Sequence, residues 1–405
     1  MITLDVLRKQ SWRGKYKGRE NMPTKQQHFV PRVYMKAWET NVETIKNPHI
    51  KFSGVYVFED QSSLGDGANI KSVLWMPRLY TVRFHHKFIC GSCPRIMDDF
   101  VNQIYSIMRE NSSNPIYAKL GHSIIRTKKS IRKHLHQVDD WQFYYEDGNI
   151  ARQKAVQRNI NSINSYVLET SFDDYFEKKW DSVRKGFIDA VQNAPPIDIN
   201  RSERQIPMRL ANDMLSCFFM MLCRSPYFSA MGIYQKIKNT ILYPVFEELC
   251  ISAIPKEKNE ITEEDRKNAI AESMEYADNI MTGVWYSELY RMMFGDAGGF
   301  YHNIIPTVLS DCQMILFEAY PDAEHFITSD NPAFEHRLSV TTQNSNGFIF
   351  PISPTHLLFI AKGSEKFNLV DHRYANNDTV RHFNRIIASH KRNLIIADSK
   401  RIRTH

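Results

Sequence analysis

The chain has 405 residues, of which 42% are hydrophobic and 24% charged, with a formal net charge of +7. That length exceeds what a single core usually serves, so two or three packed lobes are expected. No apolar run is long enough to span a bilayer, and the nearest candidate, residues 214–223, reads as a buried helix.

The first 24 residues form a basic arm, with Arg8, Lys9, Arg13, Lys15, Lys17 and Arg19 set against Asp5 and Glu20. They contain no apolar core of a secretory signal, and the six cysteines are scattered, so a cytoplasmic protein with reduced thiols is expected. Residues 28–40 are expected to be a short helix, with Phe29, Val33 and Ala37 at four-residue spacing. Residues 52–59 alternate as a strand, and Gly65-Asp66-Gly67 marks a turn. Amphipathic stretches at 96–109, 155–192, 204–223, 233–251 and 263–293 predict a mostly helical middle. Pro195-Pro196 breaks the second from the third, and Thr262 with Asp265 three residues on marks a helix start. The character then changes: 314–320, 326–329, 348–352 and 357–361 are β-rich, 376–390 returns to helix, and 393–397 is a last strand.

The expected fold is α+β and predominantly helical, a large helical body with a small mixed or antiparallel sheet built from the N-terminal and C-terminal strands. Its expected division is a flexible arm (1–24), a motif segment packing with the C-terminal sheet (25–93), a helical body (94–300) and a β-rich end (301–405).

Two strings concentrate polar groups beside a stiffening proline: Gln27-His28-Phe29-Val30-Pro31-Arg32 and Phe326-Ile327-Thr328-Ser329-Asp330-Asn331-Pro332. In a helix His28 and Arg32 would share a face. A histidine serves as general base near neutral pH, and an arginine grips phosphate or carboxylate. The bland alternative is capping and packing. Ser329, Asp330 and Asn331 end a strand with turn-forming side chains, which suits either a ligand loop or a plain turn. Arg224 in Arg224-Ser225-Pro226 closes the most apolar helix, where a cation favours the helix dipole in any case. Ser353 lies between Pro351 and Pro354 at another strand end.

Cys90 and Cys93, near His85 and His86, make half of a zinc site, and the second half is missing, so zinc is not expected. The pairs Asp98-Asp99 and Asp139-Asp140 leave a divalent cation such as magnesium open. Walker A, GxGxxG, HExxH and GxSxG strings are absent, which disfavours the standard NTPase, dehydrogenase, zinc-protease and hydrolase classes.

The two proline strings, Arg224-Ser225-Pro226, Pro351-Ile352-Ser353-Pro354 and the helix carrying Asn384 together resemble a bacterial family catalogued as domain of unknown function 4238. So do Tyr34 to Trp38, Val55 to Phe58, Lys71-Ser72-Val73 and Leu79-Tyr80, and the resemblance runs over residues 25–400. It implies no settled reaction, but some similar members are associated with defence against phage.

Two readings follow. In the first, the protein is an anti-phage effector acting on nucleic acid or a nucleotide phosphate, with His28 moving the proton, Arg32 stabilising phosphate charge and Asp330 orienting the histidine or binding a metal. Ser329, Asn331, Arg224 and Ser353 would contact substrate. Its basic clusters, the arm, residues 126–136 and the C-terminal run from Arg381 to Arg403, would meet nucleic acid. In the second it is a non-catalytic sensor of a phage protein or nucleic acid, and the same residues hold the fold.

Overall fold

The computed structural model describes residues 26–60, 64–77, 79–80, 94–110, 114–198, 201–226, 233–294, 312–340, 343–362 and 368–402. The basic arm, the Cys90–Cys93 pair with His85 and His86, and the Gly295–Gly299 run lie outside them.

The expectation of a predominantly helical chain is corrected. Among the described residues helix accounts for 48% and strand for 25%, in four sheets of two to six strands, so the fold is mixed α/β. Much of the additional strand lies inside the expected helical middle, where Ile116–Leu120, Ser123–Ile125 and Gln142–Tyr145 form a three-stranded antiparallel sheet. These segments are short and rich in isoleucine and tyrosine, which suit a pleated surface. The first pair turns through Gly121-His122, and Gly121 has φ +55, a left-handed conformation that costs a residue without Cβ least. Such short strands carry no helical period, which is why a periodicity reading passes over them.

The largest sheet has six strands in the order Phe334–Val340, Gln343–Ser353, His356–Lys362, Cys312–Ala319, Leu369–Ala375 and Glu203–Gln205. All its neighbours are antiparallel except Cys312–Ala319 against Leu369–Ala375. A second sheet joins distant parts of the chain: Lys51–Phe58 pairs with Thr40–Glu43, Asp66–Ala68 and Ile395–Ala397, and the last of these pairs with Thr328–Ser329.

The apolar helix Met208–Arg224 is buried along most of its length, as its composition demands. It packs beside Lys178–Asn193 against the large sheet through an aromatic knot. Phe350 of the sheet lies 5.9 Å from Phe218, 5.7 Å from Trp180 and 5.8 Å from Tyr34, with Tyr34 stacked on it. Each buried ring of this kind contributes about 1.5–3 kcal/mol by leaving water. The helix Lys178–Asn193 ends just before Pro195-Pro196. The long helix Glu263–Phe294 opens on a reciprocal cap in which Asp265 N–H donates to Thr262 Oγ1 (3.1 Å) and Thr262 N–H to Asp265 Oδ2 (2.9 Å). No helix among the described residues is long and apolar enough to cross a membrane.

Candidate functional site

His28 and Arg32 do not share a helix face. His28 ends the strand Gln26–His28, paired with Trp75–Pro77, and the helix begins only at Arg32, after an extended Pro31. Proline fixes its own φ and biases the residue before it away from helix, so the Val30-Pro31 step separates the two elements. Arg32 is exposed, whereas His28 is half-buried. Burial, reinforced by the charge of Arg32, lowers the His28 pKa, so its imidazole is neutral at pH 7.

The two proline strings do meet, but through aromatic side chains. The Tyr34 hydroxyl donates to the Pro351 carbonyl at 2.7 Å and lies 2.7 Å from Thr328 Oγ1. Trp38 Nε1 donates to the Phe326 carbonyl at 2.8 Å. The one-turn helix after Pro31 is therefore pinned to the 326–332 string and to the Pro351–Pro354 string at once.

Asp330 turns the other way. Its buried carboxylate accepts backbone N–H groups from Arg392 (2.8 Å), Asn393 (2.6 Å) and Leu394 (3.3 Å), and its own N–H donates to the Leu394 carbonyl (3.0 Å). Burial pushes its pKa up against the pull of those amides. Ser329 and Asn331 close the same turn: Asn331 N–H donates to Ser329 Oγ (3.1 Å), and Asn331 Nδ2 to the His390 carbonyl (3.2 Å). Asn384 supports the strand before it, accepting from Ile327 N–H and donating to the His325 carbonyl. The groups acting on His28 are Arg32, Lys71, Arg224 and Glu177; those acting on Asp330 are residues 391–394, and the two sets share no member.

Arg224, rather than Asp330, is the group brought to His28. Its buried guanidinium donates through Nη2 to the His28 carbonyl (2.7 Å) and to Glu177 Oε1 (2.9 Å). The Phe172 ring lies over it at 4.4 Å. Burial opposes the charge of Arg224, but Glu177 facing it keeps the pKa above the ordinary arginine value.

Ser353 lies elsewhere, on an open cleft of about 440 Å³ between the helix Lys178–Asn193 and the tight hairpin Ser353–His356. His356 Nδ1 lies 3.1 Å from Ser353 Oγ and 2.9 Å from Thr355 Oγ1. Its Nε2 is 3.4 Å from Gln192 Nε2 and 4.0 Å from Glu318 Oε2, which His372 approaches at 2.8 Å. Burial drives the His356 pKa down to about 4, against the pull of Glu318. A neutral imidazole so weakly basic orients hydroxyls well and takes protons poorly. Arg184, Lys185 and Asp189 line the helix side of the cleft, with His325 and Asp398, 2.5 Å apart, on the other.

Four cations of the basic clusters are engaged with acids. Arg126 pairs with Glu146, Arg132 with Asp98, Arg381 with Glu324 and Lys400 with Glu43. Asp98 is thereby occupied, and no group of three or more His, Cys, Asp or Glu side chains among the described residues is placed to hold a metal ion.

Sequence reasoning missed Glu177, Trp180, Tyr34, Trp38 and His356 as site residues. His356 had a readable signal, three residues from Ser353 in one turn, and Tyr34 and Trp38 had one in their place directly after Pro31; Glu177 and Trp180 had none.

No curated protein and no solved structure matches the chain. The family described as Protein of unknown function (DUF4238) matches residues 26–401, nearly the whole length. The chain belongs to this family.

Proposed function

We propose that the protein serves bacterial defence against phage as a non-catalytic recognition module that takes a segment of a phage protein at the cleft beside Ser353 and His356. The observation that carries this reading is the environment of Asp330. Its carboxylate accepts three backbone amides and holds the turn that leads into Ile395–Ala397. Asp330 is thereby engaged in holding a backbone turn, which weighs against its serving as the carboxylate of a catalytic centre with His28. The cleft supports a protein ligand over a phosphate backbone. Arg184, Lys185 and His325 share the lining with Asp189 and Asp398, a mixture of signs that suits a peptide, whereas a nucleic-acid groove needs an excess of cations. The phage association itself rests on the family resemblance.

The test is plating efficiency on a phage-sensitive bacterial host, paired with thermal melting of each purified variant. Lys185→Glu reverses a charge on the exposed rim of the cleft and is expected to cut protection by about thirtyfold or more while melting like the wild type. Full protection from Lys185→Glu and from Thr355→Arg, both folded, overturns the cleft assignment. Magnesium-dependent cleavage of DNA or RNA by the purified protein replaces the module with an effector.

A further inference from the structure

The helical stretch formed by Lys238–Leu242 and Tyr243–Ser252 is rich in apolar residues, yet none of its side chains is buried. Ile241, Val245 and Leu249 recur at four-residue spacing, which puts them on one face, and each is more than half exposed. A helix apolar along one face ordinarily buries that face. This one packs on the long helix Glu263–Phe294, where Phe246 stacks on the partly exposed ring of Tyr276 at 5.7 Å, and the stripe still faces water.

Acids gather around the stripe. Glu248 is exposed and lies on the same face, one turn after Val245. The charge of Glu272 raises the Tyr276 pKa, with burial and Glu275 acting in the same direction. Residues 233–282 hold ten acids and six Lys or Arg, in a chain whose net charge is +7. Two of those cations are already engaged, Lys238 with Asp278 and Lys256 with Asp265.

What fits such a face is a segment that is both cationic and apolar. The chain carries one. Residues 1–24 hold Ile2, Leu4, Val6, Leu7, Trp12 and Tyr16 among six Lys or Arg and two acids. This arm joins the described fold at Gln26, close to the same long helix. Gln27 Oε1 accepts from Tyr80 N–H, the Tyr80 ring lies 5.8 Å from Trp285, and the Tyr286 hydroxyl donates to the Leu79 carbonyl. Along that helix Tyr276 is about 14 Å from Trp285, whereas an arm of 24 residues reaches up to about 80 Å. A second copy fits less well, because a two-fold contact would set Glu248 and its acidic neighbours against themselves.

From this juxtaposition of an acidic, apolar helix face and the entry point of a basic, apolar arm, we propose that residues 1–24 dock along Ile241, Val245 and Leu249 of the same chain. The seated arm covers the stripe and pairs with its acids, which withdraws the arm's cations from nucleic acid. The contact is separate from the cleft beside Ser353, and its test does not involve protection from phage.

The experiment is zero-length carbodiimide cross-linking of the full chain at low concentration, read by mass spectrometry on an equal mixture of unlabelled and heavy-nitrogen protein. Lys9, Lys15 and Lys17 are expected to link to Glu247, Glu248, Glu272 or Glu275, with both peptides of each link carrying the same isotope. Val245→Asp combined with Leu249→Asp changes only exposed side chains, so it is expected to melt like the wild type. The added charge strengthens a loose ionic encounter but destroys an apolar seat, so the links are expected to fall about tenfold. Leu7→Asp combined with Trp12→Asp leaves the helix untouched and is expected to speed amide exchange over residues 241–251. The proposal is overturned if the arm does not link to these acids, or if the links survive Val245→Asp with Leu249→Asp in folded protein. Links that join one isotope to the other overturn it in favour of a second copy. Should the helix variant fail to fold, the arm variant decides, and unchanged exchange over 241–251 overturns the proposal.

Discussion

Asp330 shows how a charged residue in a polar, proline-bearing string can serve to hold backbone. Three amide N–H groups of one turn converge on its two oxygens, and each such charge-assisted bond is worth more than a neutral one. Asp330→Asn is nearly isosteric, yet it turns an amide NH₂ toward groups that can only donate. The expected loss is about 2–4 kcal/mol of stability, read as a fall in the urea midpoint with an unchanged slope. A wild-type midpoint would show that the carboxylate does not hold the turn. Arg224 is the opposite case, with more hydrogen-bonding capacity than its neighbours use. Its Nη2 serves two acceptors while Nε and Nη1 serve none.

Among elements, the one-turn helix Arg32–Met35 matters beyond its length. Four residues cannot sustain a helix in water, so this turn exists because Tyr34 and Trp38 are buried and bonded to segments about three hundred residues away. Tyr34→Phe keeps the ring against Phe350 and removes the hydroxyl. It strands the Pro351 carbonyl and Thr328 Oγ1, so an unfolding cost of about 1.5–3 kcal/mol is expected. Amide exchange is then expected to rise at residues 326–330 in particular. Uniform exchange throughout the chain would mean that the hydroxyl does not link these segments. The hairpin Ser353–His356 is a second example, in which a proline turn sets two hydroxyls on one imidazole nitrogen and opens the cleft beside them.

At the level of the whole molecule, buried histidines tie stability to pH. The folded His356 pKa is about 4, against an unfolded value near 6.5. Between those values the unfolded chain binds a proton that the folded chain refuses, so stability is intact above pH 6.5 and declines toward pH 4. The loss from this group is about 3 kcal/mol. His28 acts in the same direction, and buried Asp330, with its raised pKa, acts in the opposite one. His356→Asn keeps a neutral polar side chain and is expected to flatten the fall in urea midpoint between pH 6.5 and pH 4. An unchanged pH slope would remove His356 as its source.

Much of this architecture is readable in the residues. The helical period locates Met208–Arg224 and Glu263–Phe294, Pro195-Pro196 marks where Lys178–Asn193 stops, and Thr262 with Asp265 announces a cap. These features depend on neighbours three or four positions apart, and a chain read in order displays them. The strings rich in polar groups and proline are equally visible, as is the family they belong to. Partnership is another matter. That Ile395–Ala397 completes a sheet with Lys51–Phe58, that Arg224 reaches His28 and Glu177, and that Asp330 turns to residues 392–394 all depend on contacts between distant segments. Local propensity is the same whichever partner wins, because packing of the aromatic knot and satisfaction of buried donors are settled only when the segments meet. The amino acids present therefore decide which residues can do chemistry here, and the tertiary structure decides which of them are occupied in holding the fold.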